Sequence, residues 1–188
     1  LHVSNIRSLH PLTVDFVEAA KSAGIHYSKD LNGEIFEGVG YVQSTQRFGR
    51  RHSAADAFLK PAWRRRNVSL RTRSLASRIV IEDGAAVGVE YLDPGGRRRT
   101  VGARRSVLLS AGAIASPQIM MLSGLGPADM LRRHGITVTR DMPGVGRDLQ
   151  DHPGVYLNYA VDRPTYNSLQ GPIGKLGHGL QWLLFGRG

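Results

Sequence analysis

The chain has 188 residues, 41% of them apolar and 21% charged, which describes an ordinary globular sequence and excludes intrinsic disorder. Cysteine is absent, so disulfides, a thiol nucleophile and a thiolate metal site are all excluded, although that absence assigns no compartment. A formal charge of +10 puts nucleic acid among the partners to weigh, while no apolar run approaches the roughly eighteen residues that cross a bilayer.

From the N-terminus, Leu1-His2-Val3-Ser4-Asn5 carries neither an initiator methionine nor the features of a signal peptide, and reads as the start of a mature or excised product. Leu12, Phe16, Ala19 and Ala20 recur near helical spacing, and Gly24 closes that helix. Gly38-Val39-Gly40 precedes a strand-like piece around Tyr41 to Thr45. A second helix starts at Ser53, with Asp56 three residues on as a capping-box variant, and is expected to end before Lys60-Pro61.

A short strand is expected over Val68 to Thr72, followed by a meander. Leu75 to Glu82 and Ala86 to Leu92 flank Asp83-Gly84, a hairpin signal, and Pro94-Gly95-Gly96 turns the chain into a return strand near Arg98 to Ala103. The apolar run Ser106 to Ala111 reads as a buried strand entering a glycine turn at Gly112. Ser116-Pro117 reads as the start of the next helix, with Ile119, Met120 and Leu122 on a buried face and Gly124 as its stop. Pro127 to His134 is a short helix ended by Gly135, with Thr137 to Arg140 extended after it. Val155 to Val161 is a further strand candidate, and Gly174 to Phe185 an apolar helix with Leu176, Leu180, Leu183 and Leu184 on one side.

The segment GAIASPQIMMLSGLG resembles the second signature of the glucose–methanol–choline (GMC) family of flavin-dependent oxidoreductases. Gly112, Ala113, Ser116, Pro117, Ile119, Met120, Ser123, Gly124, Leu125 and Gly126 fit that pattern at its spacing. The likeness extends over GRRHSAADAFLKPA (49–62), AVGVEYL (86–92) and PGVGRDLQDH (143–152). It implies a mixed α/β chain: part of a Rossmann-like FAD-binding domain with a β-meander, plus pieces of a substrate-binding domain. Residues 1–48 are expected in the substrate-binding region, 49–152 in the FAD domain and 153–188 in a second substrate-domain segment.

The same resemblance implies FAD as cofactor and a small-molecule alcohol as hydride donor, with the electron acceptor left open. The family's phosphate-cradling glycine motif lies before this stretch and its catalytic histidine after it. This chain is therefore expected to be a middle slice, inert alone, with no catalytic residue and no metal ligand of its own. Leu75 and Ala76 correspond to the strand whose backbone meets the adenine end; the family usually has valine where Ala76 stands. Ser110, Ala111 and Gly112 correspond to the strand end that passes the cofactor closely. Asp148 stands where asparagine is commoner, and a carboxylate there is unsuited to touching a pyrophosphate.

Other chemistry is poorly supported by the residues. Three Gly-x-Gly pieces (38–40, 124–126, 144–146) share no repeat, and none extends to the dinucleotide fingerprint. The histidines lack metal-ligand spacing, and neither Ser53 nor Ser123 lies in a nucleophile elbow. Asp151 and His152, as neighbours on a strand, would point to opposite faces and are read as structural hydrogen-bonding groups. The rival reading is a basic nucleic-acid-binding module, resting on Arg64-Arg65-Arg66, Arg97-Arg98-Arg99 and Arg104-Arg105. These clusters are not interleaved with stacking aromatics and stripe no helix, so no nucleic-acid partner is assigned.

Overall fold

The computed structural model describes residues 1–169 and 171–186. The chain forms two units, Leu1–Leu70 with Asn158–Gly188, and Arg71–Leu157. Both mix helices with small sheets, as the fold class anticipated.

In the first unit, strand β1 (Ser4–Asn5) precedes helix α1 (Pro11–Ser22). Pro11 opens the helix, and His10 Nδ1 accepts the Leu12 N–H at 3.2 Å, supplying the cap that a serine or aspartate usually provides. The inward face is Val17 and Ala20, packed with Val39 and Tyr41, whereas Phe16 is 70% exposed. The stripe anticipated from Leu12 and Phe16 is thus rotated toward Val17, which meets Val39 where the chain returns through a parallel bridge, Tyr27 to Val39.

Strand β2 (Gln43–Ser44) pairs antiparallel with β1, and β3 (Gln46–Arg47) with β4 (Arg50–Arg51). The Ser53 cap is present in full. Asp56 N–H donates to Ser53 Oγ at 3.3 Å, while Ser53 N–H and Oγ–H donate to Asp56 Oδ2 at 3.0 and 2.6 Å. The helix does not end before Lys60-Pro61. A π-helical segment (Ala55–Leu59) runs into α2 (Lys60–Trp63), with Lys60 N–H reaching Ala55 C=O. The wider turn accommodates Pro61, which has no N–H to donate and whose ring would crowd the preceding turn. After a 3₁₀ turn (Tyr166–Leu169), α5 (Pro172–Phe185) carries Leu176, Leu180, Leu183 and Leu184 on its surface, each at least half exposed.

In the second unit, β5 (Leu75–Glu82), β6 (Ala85–Leu92) and β7 (Arg98–Gly102) form the expected antiparallel meander in the order β5-β6-β7. Asp83 (φ 49°) and Gly84 (φ 78°) make the tight turn, both in the left-handed region that a primed hairpin turn requires. Helix α3 (Gly112–Leu122) packs on β5. Strand β8 (Leu125–Gly126) pairs in parallel with β9 (Arg140–Asp141), and α4 (Ala128–Arg133) lies between them in sequence. Ile79, Tyr91, Ile119, Ala128 and Leu131 form the buried set of this unit.

Several expected strands are absent among the described residues. Val68–Thr72 and Val155–Val161 have no ladder partner, so neither becomes a strand, and Asp151 and His152 lie in an irregular stretch. Of the extended piece after α4, only Arg140 enters a strand. The largest departure is Ser106–Ala111: it pairs with nothing, and Leu108 is 89% exposed. An apolar segment becomes a strand only when another strand takes up its backbone groups.

The exposure is general. The accessible surface is 15622 Å², against about 8,900 Å² for a free-standing protein of this mass, or about 10,700 Å² for two separate units of half that mass.

Candidate functional site

The residues flagged for cofactor contact lie at two places in the second unit. Leu75 and Ala76 begin β5, which pairs only with β6, so its other edge carries no strand. Leu75 is 67% exposed, and the ladder shifts register between Ala76 and Arg78. This irregularity turns Ser77 so that its hydroxyl donates to the Glu90 carboxylate at 3.0 Å. Glu90 is also met by Arg78 at 3.3 Å and Arg98 at 3.7 Å. The Ser77 hydrogen bond, supported by those guanidinium groups and opposed by partial burial, holds the Glu90 carboxyl below the usual carboxylate range. A carboxylate so compensated is a structural anion rather than a proton acceptor.

Ser110, Ala111 and Gly112 lead into α3. The helix begins at Gly112 rather than at Ser116-Pro117, which fall inside it. Ser116 Oγ reaches back to accept the Ala111 N–H at 3.1 Å, a capping bond made from within the helix. Gly112 has φ +88°, and a Cβ there would meet nothing within 4 Å. Glycine is required at this position by its backbone conformation, and its surroundings are open. Ala111 offers no side-chain cap, so the Gly112 and Ala113 N–H groups carry no hydrogen bond among the described residues.

This arrangement suits the flavin expected from the sequence in one respect. It offers unpaired backbone on the open edge of β5 and at the start of α3, with no side chain on Gly112 to hold a planar group away. Among the described residues, no hydrogen bond joins Leu75 or Ala76 to Ser110, Ala111 or Gly112, and they line no common cleft.

The second half of the signature plays a different part, which its residue types signalled only faintly. Ser123 is buried; its Oγ accepts the Ile79 N–H at 2.8 Å and donates to the Ile119 carbonyl at 2.6 Å. One hydroxyl thereby fastens the end of α3 to the otherwise open edge of β5. The Gly124 carbonyl accepts from the Thr139 and Arg140 N–H groups at 2.9 and 3.1 Å, and the Gly126 carbonyl accepts from Met142 N–H at 2.9 Å. A Cβ at Gly124 (φ +82°) would stand 2.5 Å from the Thr137 carbonyl oxygen, so this close approach admits glycine alone. Thr139 completes the knot by donating to the Ser123 carbonyl at 3.3 Å; nothing in its sequence context marks it.

The remaining candidates do not assemble into chemistry. Asp151 Oδ1 accepts the His152 N–H at 2.8 Å, a local structural bond, and both residues are exposed. Asp148 adopts φ 56°, a left-handed conformation that aspartate and asparagine tolerate best among non-glycine residues. Arg98 and Arg99 of the basic clusters are paired with Glu90 and Asp93. No group of three or more potential metal ligands occurs among the described residues, and no helix there is long and apolar enough to cross a membrane.

Comparison with known proteins covers the chain almost completely. The profile described as GMC oxidoreductase matches residues 1–154. Mitochondrial choline dehydrogenase of Homo sapiens is 45% identical over 184 residues, covering 97% of this chain and 31% of that protein. Oxygen-dependent choline dehydrogenase of Brucella anthropi is 44% identical over 189 residues, covering 100% and 34%. Among solved structures, an FAD-dependent oxidoreductase from Chaetomium thermophilum superposes with a TM-score of 0.85 at 26% identity, over 99% of this chain and 33% of that one. Pyridoxine 4-oxidase from Mesorbium loti superposes with a TM-score of 0.73 at 36% identity, over 80% and 30%. The chain thus spans about a third of the length of the curated relatives it matches. The match over residues 1–154, which contains the whole Gly112–Gly126 signature, shows that the chain belongs to the GMC oxidoreductase family.

Proposed function

We propose that the protein carrying this chain is an FAD-dependent oxidoreductase acting on the CH–OH group of a small alcohol, with choline the first to test. The observation that carries the reading is the open Gly112 turn, set at the start of α3 inside a family match of 154 residues. Bound FAD supplies a hydride acceptor; this chain supplies surfaces for it. The backbone of Leu75 and Ala76, on the free edge of β5, would line the adenine end. Ser110, Ala111 and Gly112 would lie alongside the cofactor, glycine leaving room that any side chain would fill.

In this reading residues 49–152 belong to the FAD domain, and residues 1–48 and 153–188 to substrate-binding segments. No residue here is assigned as the base that accepts the alcohol proton. The apolar surface of Ser106–Ala111 would be covered by strands from the rest of the protein.

The experiment is twofold. Adding choline anaerobically to the full-length protein should bleach the flavin absorbance, whereas a protein that holds no flavin or is bleached by no alcohol in a broad panel sinks the proposal. The 188-residue chain alone should bind FAD weakly or not at all. Tight stoichiometric binding with alcohol-driven bleaching would show that the site lies within these residues.

A further inference from the structure

In the first unit, three arginines line one cleft. Arg7, Arg47 and Arg50 line a recess of about 430 Å³ together with Phe48, Trp182 and Phe185. Arg47 and Arg50 are directly opposed cross-strand partners in β3–β4, flanking a two-residue turn in which Phe48 (φ 52°) and Gly49 (φ 74°) are both left-handed. Like charges placed opposite one another in a hairpin repel. No aspartate or glutamate lines the recess, and none of the three arginines forms an ion pair among the described residues.

All three arginines are exposed, and each guanidinium group lies against a neighbour. The Arg47 Cζ lies 5.2 Å from the Phe48 ring centroid, and the Arg50 Cζ lies 5.4 Å from that of Trp182. The indole is itself anchored, its Nε1–H donating to the Gly49 carbonyl at 3.3 Å. Arg7 packs over the end of α5 so closely that a Cβ at Gly186 would stand 2.9 Å from its Nη1. The C-terminal end of α5 offers about half a negative charge, which falls well short of three positive ones.

We propose that this cleft binds an organic phosphate monoester, its dianionic head held by Arg7, Arg47 and Arg50 and its apolar or planar part lying on Trp182 and Phe185. Stacked guanidinium groups present their N–H edges to an oxyanion in the forked geometry that phosphate oxygens match. A single carboxylate would leave most of the positive charge uncompensated. The exposed aromatic faces favour an ester over inorganic phosphate.

The test uses the flavin-loaded full-length protein, so that the flavin's own pyrophosphate occupies its site. Phenyl phosphate, inorganic phosphate and acetate are titrated calorimetrically at constant ionic strength. Flotation with phosphatidylcholine vesicles, with and without phosphatidic acid, separates a lipid headgroup from a soluble ester. We expect phenyl phosphate to bind more tightly than inorganic phosphate, and acetate not at all. The double substitution Arg47→Gln and Arg50→Gln should weaken binding by about tenfold or more. Arg47→Lys with Arg50→Lys keeps the charges and should weaken it several-fold, which provides a reading even where the glutamine pair fails to fold. Capture on phosphatidic acid vesicles alone, abolished by the same substitutions, would support the site and name its source as lipid. Binding of none of phenyl phosphate, inorganic phosphate and phosphatidic acid vesicles, equal binding of acetate, or binding unchanged in both double variants would overturn the proposal.

Discussion

The two flanks of helix α3 make an informative pair. On its N-terminal side, Ser106–Ala111 is apolar but pairs with nothing, and Leu108 stands 89% exposed. On its C-terminal side, Ile119–Gly126 is knotted into the unit by Ser123, Gly124 and Gly126, through bonds to Ile79, Thr139, Arg140 and Met142. The two stretches are comparably apolar, so hydrophobicity does not separate them. They differ in their backbone partners: the knot finds its partners among the described residues, while the exposed segment pairs with none of them.

The sharpest way to break this comparison is to place a charge at Leu108. In the full-length protein, Leu108→Asp should lower stability by about 3–5 kcal/mol, because the proposed strand would bury an uncompensated carboxylate. In the 188-residue chain the same change should stay within about 0.5 kcal/mol, as for an ordinary surface site. Denaturant unfolding of both forms decides; equal, small effects would show that the segment stays exposed in the whole protein.

Gly124→Ala attacks the knot itself. A left-handed backbone combined with a 2.5 Å encounter with the Thr137 carbonyl should cost about 2–4 kcal/mol in either form. Ser123→Ala is gentler, leaving the Ile79 N–H and the Ile119 carbonyl without their bridge, at about 1–3 kcal/mol. A loss found only in the full-length protein for either variant would mean that the knot is not locally self-sufficient.

The smallest effect concerns a second locally closed device, the Ser53 capping box. Lys60, together with the bonds from Ser53, holds the Asp56 carboxyl well below its ordinary range. A carboxyl depressed in the folded state adds stability that is fully present above its unfolded pKa, about 3.9. That contribution disappears as the pH falls below this value toward the folded pKa. Helical circular dichroism followed from pH 5 down to pH 2 should therefore show an acid loss for the parent chain that is blunted in Asp56→Asn. Identical profiles would remove Asp56 from the account.

The same division explains what was legible in the sequence. Asp83-Gly84, the Ser53–Asp56 pair and Gly135 after α4 are local signals, and each did what its chemistry predicts. The strand expected at 106–111 rests on an apolar run, which reports a tendency to pair but not the presence of a partner; those expected at 68–72 and 155–161 likewise find no ladder partner among the described residues. The start of α3 was misplaced because Ser116-Pro117 looks like a helix entrance. Here Ser116 caps backward from inside the helix, and Gly112 supplies the turn. The function of Ser123 was hidden for a similar reason: a serine before a helix-ending glycine has no outward mark of a tether to a strand 44 residues earlier.

The β5–β6–β7 meander carries a consequence for the order of events as the chain emerges from the ribosome. Its ladder runs from Glu82↔Ala85 out to Leu75↔Leu92 and from Leu92↔Arg98 out to Gly88↔Gly102, so no pair is separated by more than 17 residues. Hairpins with such short loops close within microseconds, far faster than synthesis adds a residue. Once Gly102 is free, the meander can be complete before Ser106–Ala111 has emerged. The meander is thus finished before Leu108 emerges, and it is from that emergence onward that this exposed apolar side chain is open to aggregation.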